Sequence, residues 1–402
     1  MMLPVRTDGG KTPCAMMNVP LLDLGPQNRA LEAQFEAAFR DVLRSNMFIM
    51  GPRLEAFEKD CAAFLGVKHA LGVSSGTDAL LLALMALDIG EGDEVLLPSF
   101  TFFATAGSVA RLGATPVWVD VNPHHFNINL EDAARKVTSR TCAIMPVHLF
   151  GQSCDLDALQ AFASAHKLSV IEDAAQSMGA RWKGRSTMSS GDFGATSFFP
   201  SKNLGGMGDS GLVTTQDDAL AERARILRVH GMQPKYLHRE VGANFRMDPL
   251  QAALLHIKLP HLPSFNCARA GNAIFYHESL KGRLGIAENR PGADKAAKIL
   301  LPVDFSGQGI WNQFTLRVTG GRRDALKAFL TARKIGCEIY YPIPLHRQQC
   351  FVDQKYRGFD SVPVSEQLSA EVLSIPIFPE LATEQRQWVA DSLADFAAGK
   401  SE

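Results

Sequence analysis

Residues 197–211 read Ser-Phe-Phe-Pro-Ser-Lys-Asn-Leu-Gly-Gly-Met-Gly-Asp-Ser-Gly, and the rest of the chain is organised around the one lysine in that run, Lys202. Ahead of it, Phe193 to Phe199 is largely apolar and reads as a short buried strand; behind it, Gly205, Gly206 and Gly208 let another backbone approach closely. A lysine between a buried strand and such a turn points inward. Its amine would lose a proton more readily than an exposed one and could attack a carbonyl to form a Schiff base. On this stretch alone, a surface lysine in a mobile loop is the competing reading.

The surrounding composition is that of an ordinary globular protein: 402 residues, 46% hydrophobic and 21% charged, with a formal net charge of -1. That balance gives no reason to expect a nucleic-acid or membrane surface. Seven cysteines, at positions 14, 61, 142, 154, 267, 337 and 350, never fall in CxxC spacing, which argues against both a disulfide framework and a zinc cluster. They read as reduced thiols, and without a signal-like N-terminus or a run of about 18 apolar residues the expected location is the cytoplasm. Residues 1–18 mix Gly, Pro and Lys without periodicity and are expected to form a flexible arm.

Outward from Lys202, the chain alternates strand and helix patterns. Two amphipathic helices, Ala30 to Asn46 and one following Pro52, precede Val73-Ser74-Ser75-Gly76-Thr77, a small-residue turn opening the apolar helix Asp78 to Leu84. Free N–H groups at such a helix start suit a phosphate, although turns of this kind also cap helices that bind nothing. Strands are predicted at Glu94 to Pro98, Thr115 to Val119, Thr141 to Val147 and Leu168 to Ile171, with helices between them, then a strand at Gly211 to Thr215 and helices at Asp217 to Arg228 and Asp248 to Leu259. This predicts an α/β fold: a large domain over 19–265 with a mostly parallel sheet covered by helices, and a smaller α+β domain over 266–402. In the smaller domain, strands are predicted at Gln313 to Val318 and Cys337 to Tyr341, with helices at Arg323 to Lys334 and Thr383 to Ala397.

In such a fold, ligands gather at the carboxyl ends of the strands. Asp173 stands at one of those ends, and a carboxylate there needs a cation or donor unless it merely caps a helix. His148 ends the preceding strand, and its role is open. The loop from His230 to Arg246 interleaves basic and aromatic residues, as an anion-binding loop or an exposed one would.

A phosphate turn, an aromatic, a strand-end carboxylate and a lysine with a serine five residues before it together suit pyridoxal phosphate. The wording of SSGTDAL, PSFTFFAT, IEDAAQSMGA, SFFPSKNLGGMGDSG, ANFRMDPLQAALL and YYPIPLH resembles the sugar aminotransferases of the DegT/DnrJ/EryC1/StrS family, fold-type-I pyridoxal phosphate enzymes, from about Leu22 to Ala397. The resemblance implies that Lys202 forms the Schiff base and that Asp173 pairs with the pyridine nitrogen. It also implies that Gly76, Thr77 and Ser197 bind the phosphate, Phe102 stacks on the ring and Gln176 contacts it near the ring hydroxyl. Asn244 would reach the partner's phosphate across a homodimer. The implied reaction takes nitrogen from an amino acid, by family habit L-glutamate, and gives it to a nucleotide-linked keto-sugar. Lys235, Tyr236, His238 and Arg246 are then candidates for the nucleotide's charge, and Tyr341 and His346 for the sugar. YYPIPLH is closer to members making 3-amino than 4-amino sugars, for a surface polysaccharide or a glycosylated metabolite. A lyase or dehydratase of the same fold is one alternative, although relatives that dehydrate carry histidine in place of the lysine. A non-catalytic sensor is the other.

Overall fold

The computed structural model describes residues 17–293, 296–352 and 361–400; positions 1–16 of the expected arm lie outside the described residues. Helices α1 (Gly25–Ser45) and α2 (Pro52–Leu65) precede β1 (His69–Val73). There follow α3 (Gly76–Ala86), β2 (Glu94–Pro98), α4 (Phe103–Arg111), β3 (Thr115–Val119), α5 (Leu130–Lys136), β4 (Thr141–Ile144), α6 (Leu156–His166) and β5 (Ser169–Asp173). A short ribbon, β6 (Arg181–Trp182) and β7 (Arg185–Ser186), leads to β8 (Phe193–Ser197), β9 (Gly211–Thr215), α7 (Asp218–Leu227), α8 (Pro249–Lys258) and α9 (Leu262–Leu280).

The main sheet has seven strands in the order β1-β9-β8-β5-β4-β2-β3. Strands β3, β2, β4, β5 and β8 run parallel, and β9 runs antiparallel to both β8 and β1. The expected mostly parallel sheet is therefore present. Its strands are apolar runs because helices cover both faces: β2 and β9 are buried at every position, and α3 buries every residue from Ala79 to Leu84.

The second unit adds β10 (Ile286–Glu288), β11 (Ile299–Leu301), β12 (Phe314–Val318), α10 (Arg323–Ala332), α11 (Pro363–Glu371), β13 (Val372–Ile375) and α12 (Thr383–Ala398), with sheet order β10-β11-β12-β13. It has its own core, which includes Tyr276, Phe314, Leu316, Leu373 and Leu393. Val19, near the start of the described chain, belongs to that core and bridges to Ile335. Helix α9 runs without a break through the 265–266 boundary expected from sequence. The strand expected at Cys337 to Tyr341 is not formed. Glu338 makes a single bridge to Ser374, and β13 takes the place beside β12. Pro342 and Pro344 follow closely and have no N–H to extend a ladder.

Main-chain hydrogen bonds fasten the two units together. Phe150 O accepts from Asn312 N at 3.0 Å, and Gly151 O accepts from Ile310 N at 2.9 Å. Phe150 and Trp311 both hold left-handed backbone, at φ 58° and 51°. Gly151, at φ 94°, has no room for a side chain, since a Cβ would lie 2.8 Å from Asn312 N.

Candidate active site

Strand pairing brings the phosphate turn and the lysine segment together. Gly211 on β9 lies opposite Val73 on one side and Ser197 on the other, so the start of α3 abuts the end of β8. A Cβ on Gly76 would lie 2.6 Å from Ser197 Cβ, which leaves space there only for glycine. Ser75 caps α3 by accepting the Asp78 N–H at 3.0 Å, while Ser74 Oγ donates to the Asp78 carboxylate at 2.6 Å. Asp78 therefore turns back into the helix start, and the amides of Gly76 and Thr77 remain as donors at the positive end of the dipole.

Lys202 sits on a closed turn. Its own N–H donates to Phe199 O at 2.8 Å, and Gly206 N–H donates to Phe198 O at 2.7 Å. A Cβ on Gly205 would run into the carbonyl oxygen of Pro200, so the turn folds tightly only with glycine there. Burial lowers the pKa of the Lys202 amine to about 8, against the opposing pull of Asp173.

Asp173 ends β5 and is 5% exposed. Burial pushes its carboxyl pKa up, while the hydroxyl of Thr105, the N–H of Ala175 and the charge of Lys202 pull it down. Thr105 Oγ1 donates to Oδ2 at 2.8 Å and Ala175 N–H donates to Oδ1 at 3.2 Å. Asp173 and Lys202 feel one another's charge without an ion-pair contact among the described residues. A buried acid and a half-buried base thus lie near one another, each without an ionic partner among the described residues. Sequence reading missed Thr105; the signal was its place in PSFTFFAT, on the first turn of the helix beginning at Phe103.

Gln176 joins the two units. Its Oε1 accepts Phe150 N–H at 2.7 Å, and its Nε2 donates to Tyr341 OH at 3.0 Å. The Tyr341 ring centroid lies 6.1 Å from that of Phe102, which is 57% exposed, so Phe102, Gln176 and Tyr341 form one wall of the cleft.

Other expected residues stand elsewhere. His346 is buried, with Nδ1 2.8 Å from Ser99 Oγ and Nε2 3.1 Å from Glu366 Oε1, so its enclosed ring braces β2 against α11. Lys235, Tyr236 and His238 are exposed on a loop stitched to itself: Lys235 Nζ lies 5.1 Å from the Tyr236 ring centroid, and His238 Nδ1 is 2.8 Å from His230 O. Among the described residues, no hydrogen bond, ion pair or ring contact joins these three to Asp173, Gln176, Lys202 or Tyr341. Asn244 is exposed on the segment running past the outer edge of β1, where Phe245 O accepts Ser74 N–H at 2.9 Å. Arg246 bridges to Val73, and its Nε is buried without a hydrogen-bond partner among the described residues.

His148 faces away from this cleft. Successive residues of a strand point to opposite faces, so Glu172 lies behind the sheet when Asp173 lies in front. His148 Nε2 is 2.8 Å from Glu172 Oε2, and its Nδ1 accepts Cys154 N–H at 3.0 Å. Nδ1 therefore carries no proton, and the neutral ring donates from Nε2. Glu172 also accepts the N–H groups of Met188, Ser190 and Gly191.

A model of the DegT/DnrJ/EryC1/StrS aminotransferase family matches residues 29–394. The dTDP-3-amino-3,4,6-trideoxy-alpha-D-glucose transaminase of Streptomyces venezuelae is 41% identical, over 94% of this chain and 96% of its own length. A protein of Geobacillus stearothermophilus called a pleiotropic regulatory protein is 42% identical, over 94% of this chain and 99% of its own. The crystal structure of S. venezuelae DesV in complex with a ketimine intermediate superposes with a TM-score of 0.87 at 41% identity, covering 94% of this chain and 98% of that one. With the fold, the cleft and matches over nearly its whole length in agreement, the chain belongs to the DegT/DnrJ/EryC1/StrS aminotransferase family and is a pyridoxal-phosphate-dependent aminotransferase.

Proposed function

We propose that the chain transfers an amino group from an amino acid, L-glutamate, to the 3-keto carbon of a nucleotide-linked sugar, making an amino sugar for a surface polysaccharide or a glycosylated metabolite. The observation that carries the reading is the pair of oppositely charged groups, buried Asp173 and half-buried Lys202, which act on one another without an ionic partner among the described residues. The sugar and its position follow the Streptomyces relative, whose name specifies a 3-amino sugar transaminase.

The residues fit the cofactor. Asp173 offers a desolvated anion suited to a protonated ring nitrogen, and Lys202 offers an amine with a lowered pKa. The close approach of Gly76 to Ser197 groups the donors of Gly76, Thr77 and Ser197, a set suited to the phosphate. Phe102 would stack on the ring and Gln176 would contact it near the ring hydroxyl. When bound, pyridoxal phosphate supplies an electron sink that makes the hydrogen on the amine-bearing carbon acidic. Asp173 would hold the proton on the ring nitrogen, Thr105 would orient Asp173 and favour its ionised form, and Lys202 would move the proton at the amine-bearing carbon.

A homodimer completes the site in this reading, with Asn244 reaching the partner's phosphate. Phe39, Leu43, Met47, Phe48 and Ile49 are each about half exposed or more on α1 and the segment after it, an apolar patch that a second copy would cover. Arg246, with its unpartnered Nε, and the exposed Lys235, Tyr236 and His238 are assigned to the nucleotide's charge, and Tyr341 to the sugar. The name of the Geobacillus relative favours a regulatory second reading.

The test is spectroscopic. Borohydride should fix the cofactor's mass on the peptide carrying Lys202, and L-glutamate should convert the bound cofactor's absorbance to that of pyridoxamine phosphate. Label on another lysine would overturn the assignment of Lys202, and an absorbance indifferent to every amino acid would favour the regulatory reading.

A further inference from the structure

Helix α8 presents two polar side chains to the turn that carries Lys202. Gln251 and Lys258 are seven residues apart, about two helical turns, and so share a face. Gln251 Oε1 accepts Met207 N–H at 3.0 Å. A Cβ on Gly206 would lie 2.9 Å from Gln251 Oε1, and one on Gly208 would lie 2.8 Å from Gln251 Nε2, so the turn and this amide are fitted to one another. Lys258 Nζ donates to Gly205 O at 2.7 Å. Between these two grips, Leu255 packs with Phe198, Leu204 and Leu212 as an apolar floor beneath the turn.

Lys258 is an unexpected occupant of that floor. It is 3% exposed, and no carboxylate forms an ion pair with it among the described residues; Glu380 acts on it only at longer range. Burial lowers its amine pKa to about 8. An ammonium without a carboxylate partner is an expensive way to satisfy one carbonyl, which a neutral amide donor would also serve. What the lysine provides is reach and a charge-assisted hydrogen bond, the stronger kind, at the point where the turn reverses.

We propose that Gln251 and Lys258 are positioning residues for Lys202, gripping its glycine turn at Met207 and Gly205 so that the amine meets the substrate carbon at a fixed distance during proton transfer. The proposal rests on the assignment of Lys202 above. It concerns the rate of one step, because neither side chain contacts the cleft residues Asp173, Gln176 or Phe102 among the described hydrogen bonds.

The experiment uses full-length holoenzyme, with Lys258→Met, Gln251→Leu and Lys258→Arg, in the L-glutamate half-reaction. Borohydride labelling of the unaltered enzyme comes first, and label away from Lys202 removes the assignment itself before any variant is measured. With the label on Lys202, Lys258→Met and Gln251→Leu should each keep one cofactor per chain and an unchanged KM. The half-reaction should slow about tenfold, within the cost of a small misplacement of a reacting group. The effect of α-deuterated glutamate should grow, because proton transfer becomes more rate-limiting, and the visible circular dichroism of the cofactor should weaken. Lys258→Arg should restore most of the rate. A merely structural role would lower the unfolding midpoint, and the rate only in step with the folded fraction, with the isotope effect unmoved. That outcome overturns the proposal, as do wild-type rates in both variants. Should Lys258→Met fail to fold, Gln251→Leu decides alone, and a wild-type isotope effect in it is fatal to the proposal.

Discussion

Thr105 Oγ1 and Asp173 Oδ2 are joined by a buried hydrogen bond of 2.8 Å that ties the first turn of α4 to the end of β5. Burial pushes this carboxyl up and the hydroxyl pulls it down, so the bond favours ionisation. Thr105→Val keeps the shape and removes the donor. The carboxyl pKa should rise further, and the acid limb of the rate-against-pH profile should move to higher pH. Unmoved acid limbs in kcat and kcat/KM would show that the hydroxyl does not tune Asp173.

Asp173→Asn preserves volume and removes the charge. Turnover should fall by about 10²-fold or more, the range for losing a preorganised electrostatic contact in a buried site. Cofactor content should fall much less, because the donors proposed for the phosphate lie on α3 and β8. Near-normal turnover would assign the ring nitrogen to another group.

The lowered pKa of Lys202 sets a pH dependence for cofactor capture. Only the unprotonated amine attacks an aldehyde, and with a pKa of about 8 roughly a tenth of it is free at pH 7. Capture of pyridoxal phosphate by the apoenzyme should therefore quicken about tenfold between pH 7 and pH 9 and then level off. A rate still climbing steadily beyond pH 10 would mean an ordinary, solvated lysine.

A shared site predicts complementation. Asn244→Glu would place an anion beside the phosphate, and Lys202→Ala removes the amine, so each homodimer should be inactive. After subunit exchange, a heterodimer should recover one active site of its two. Heterodimers verified by mass and still inactive would place Asn244 outside the partner's site.

The pair behind the sheet should behave differently from the groups in front of it. His148→Ala takes one of four donors from the buried Glu172 carboxylate and leaves a cavity. Unfolding free energy should drop by about 2–4 kcal/mol, with KM and cofactor content in the folded fraction unchanged. A raised KM with intact stability would place the imidazole in the cleft.

The sheet and the Lys202, Asp173 and Gly76 positions were legible because buried parallel strands are continuous apolar runs and their ends collect polar residues. The small domain was less so. β10 and β11 have three residues each within a Gly- and Pro-rich stretch, too short to show a period of two. α11 and β13 abut without a turn, so helical and extended patterns run together at Glu371 and Val372. The setting of His346 was hidden for a different reason: YYPIPLH fixes where Tyr341 arrives, but the histidine's own contacts are with Ser99 and Glu366, more than 240 residues before it and 20 after it. Thr105 escaped notice because one hydroxyl in an apolar helix has no pattern of its own.

The joint at Phe150 has a practical meaning for exchange of parts among relatives. Phe150 gives its N–H to Gln176 and its carbonyl to Asn312, so the cleft wall and the small domain hang on one residue's main chain. Because those bonds involve backbone on the small-domain side, a chimera can carry another relative's side chains there and still seat correctly. It must keep the left-handed turn at 150–151 and the close approach of 310–312. A graft point placed within either segment would uncouple Gln176 from the Tyr341 side of the cleft, whereas one placed within α9 would leave the joint whole.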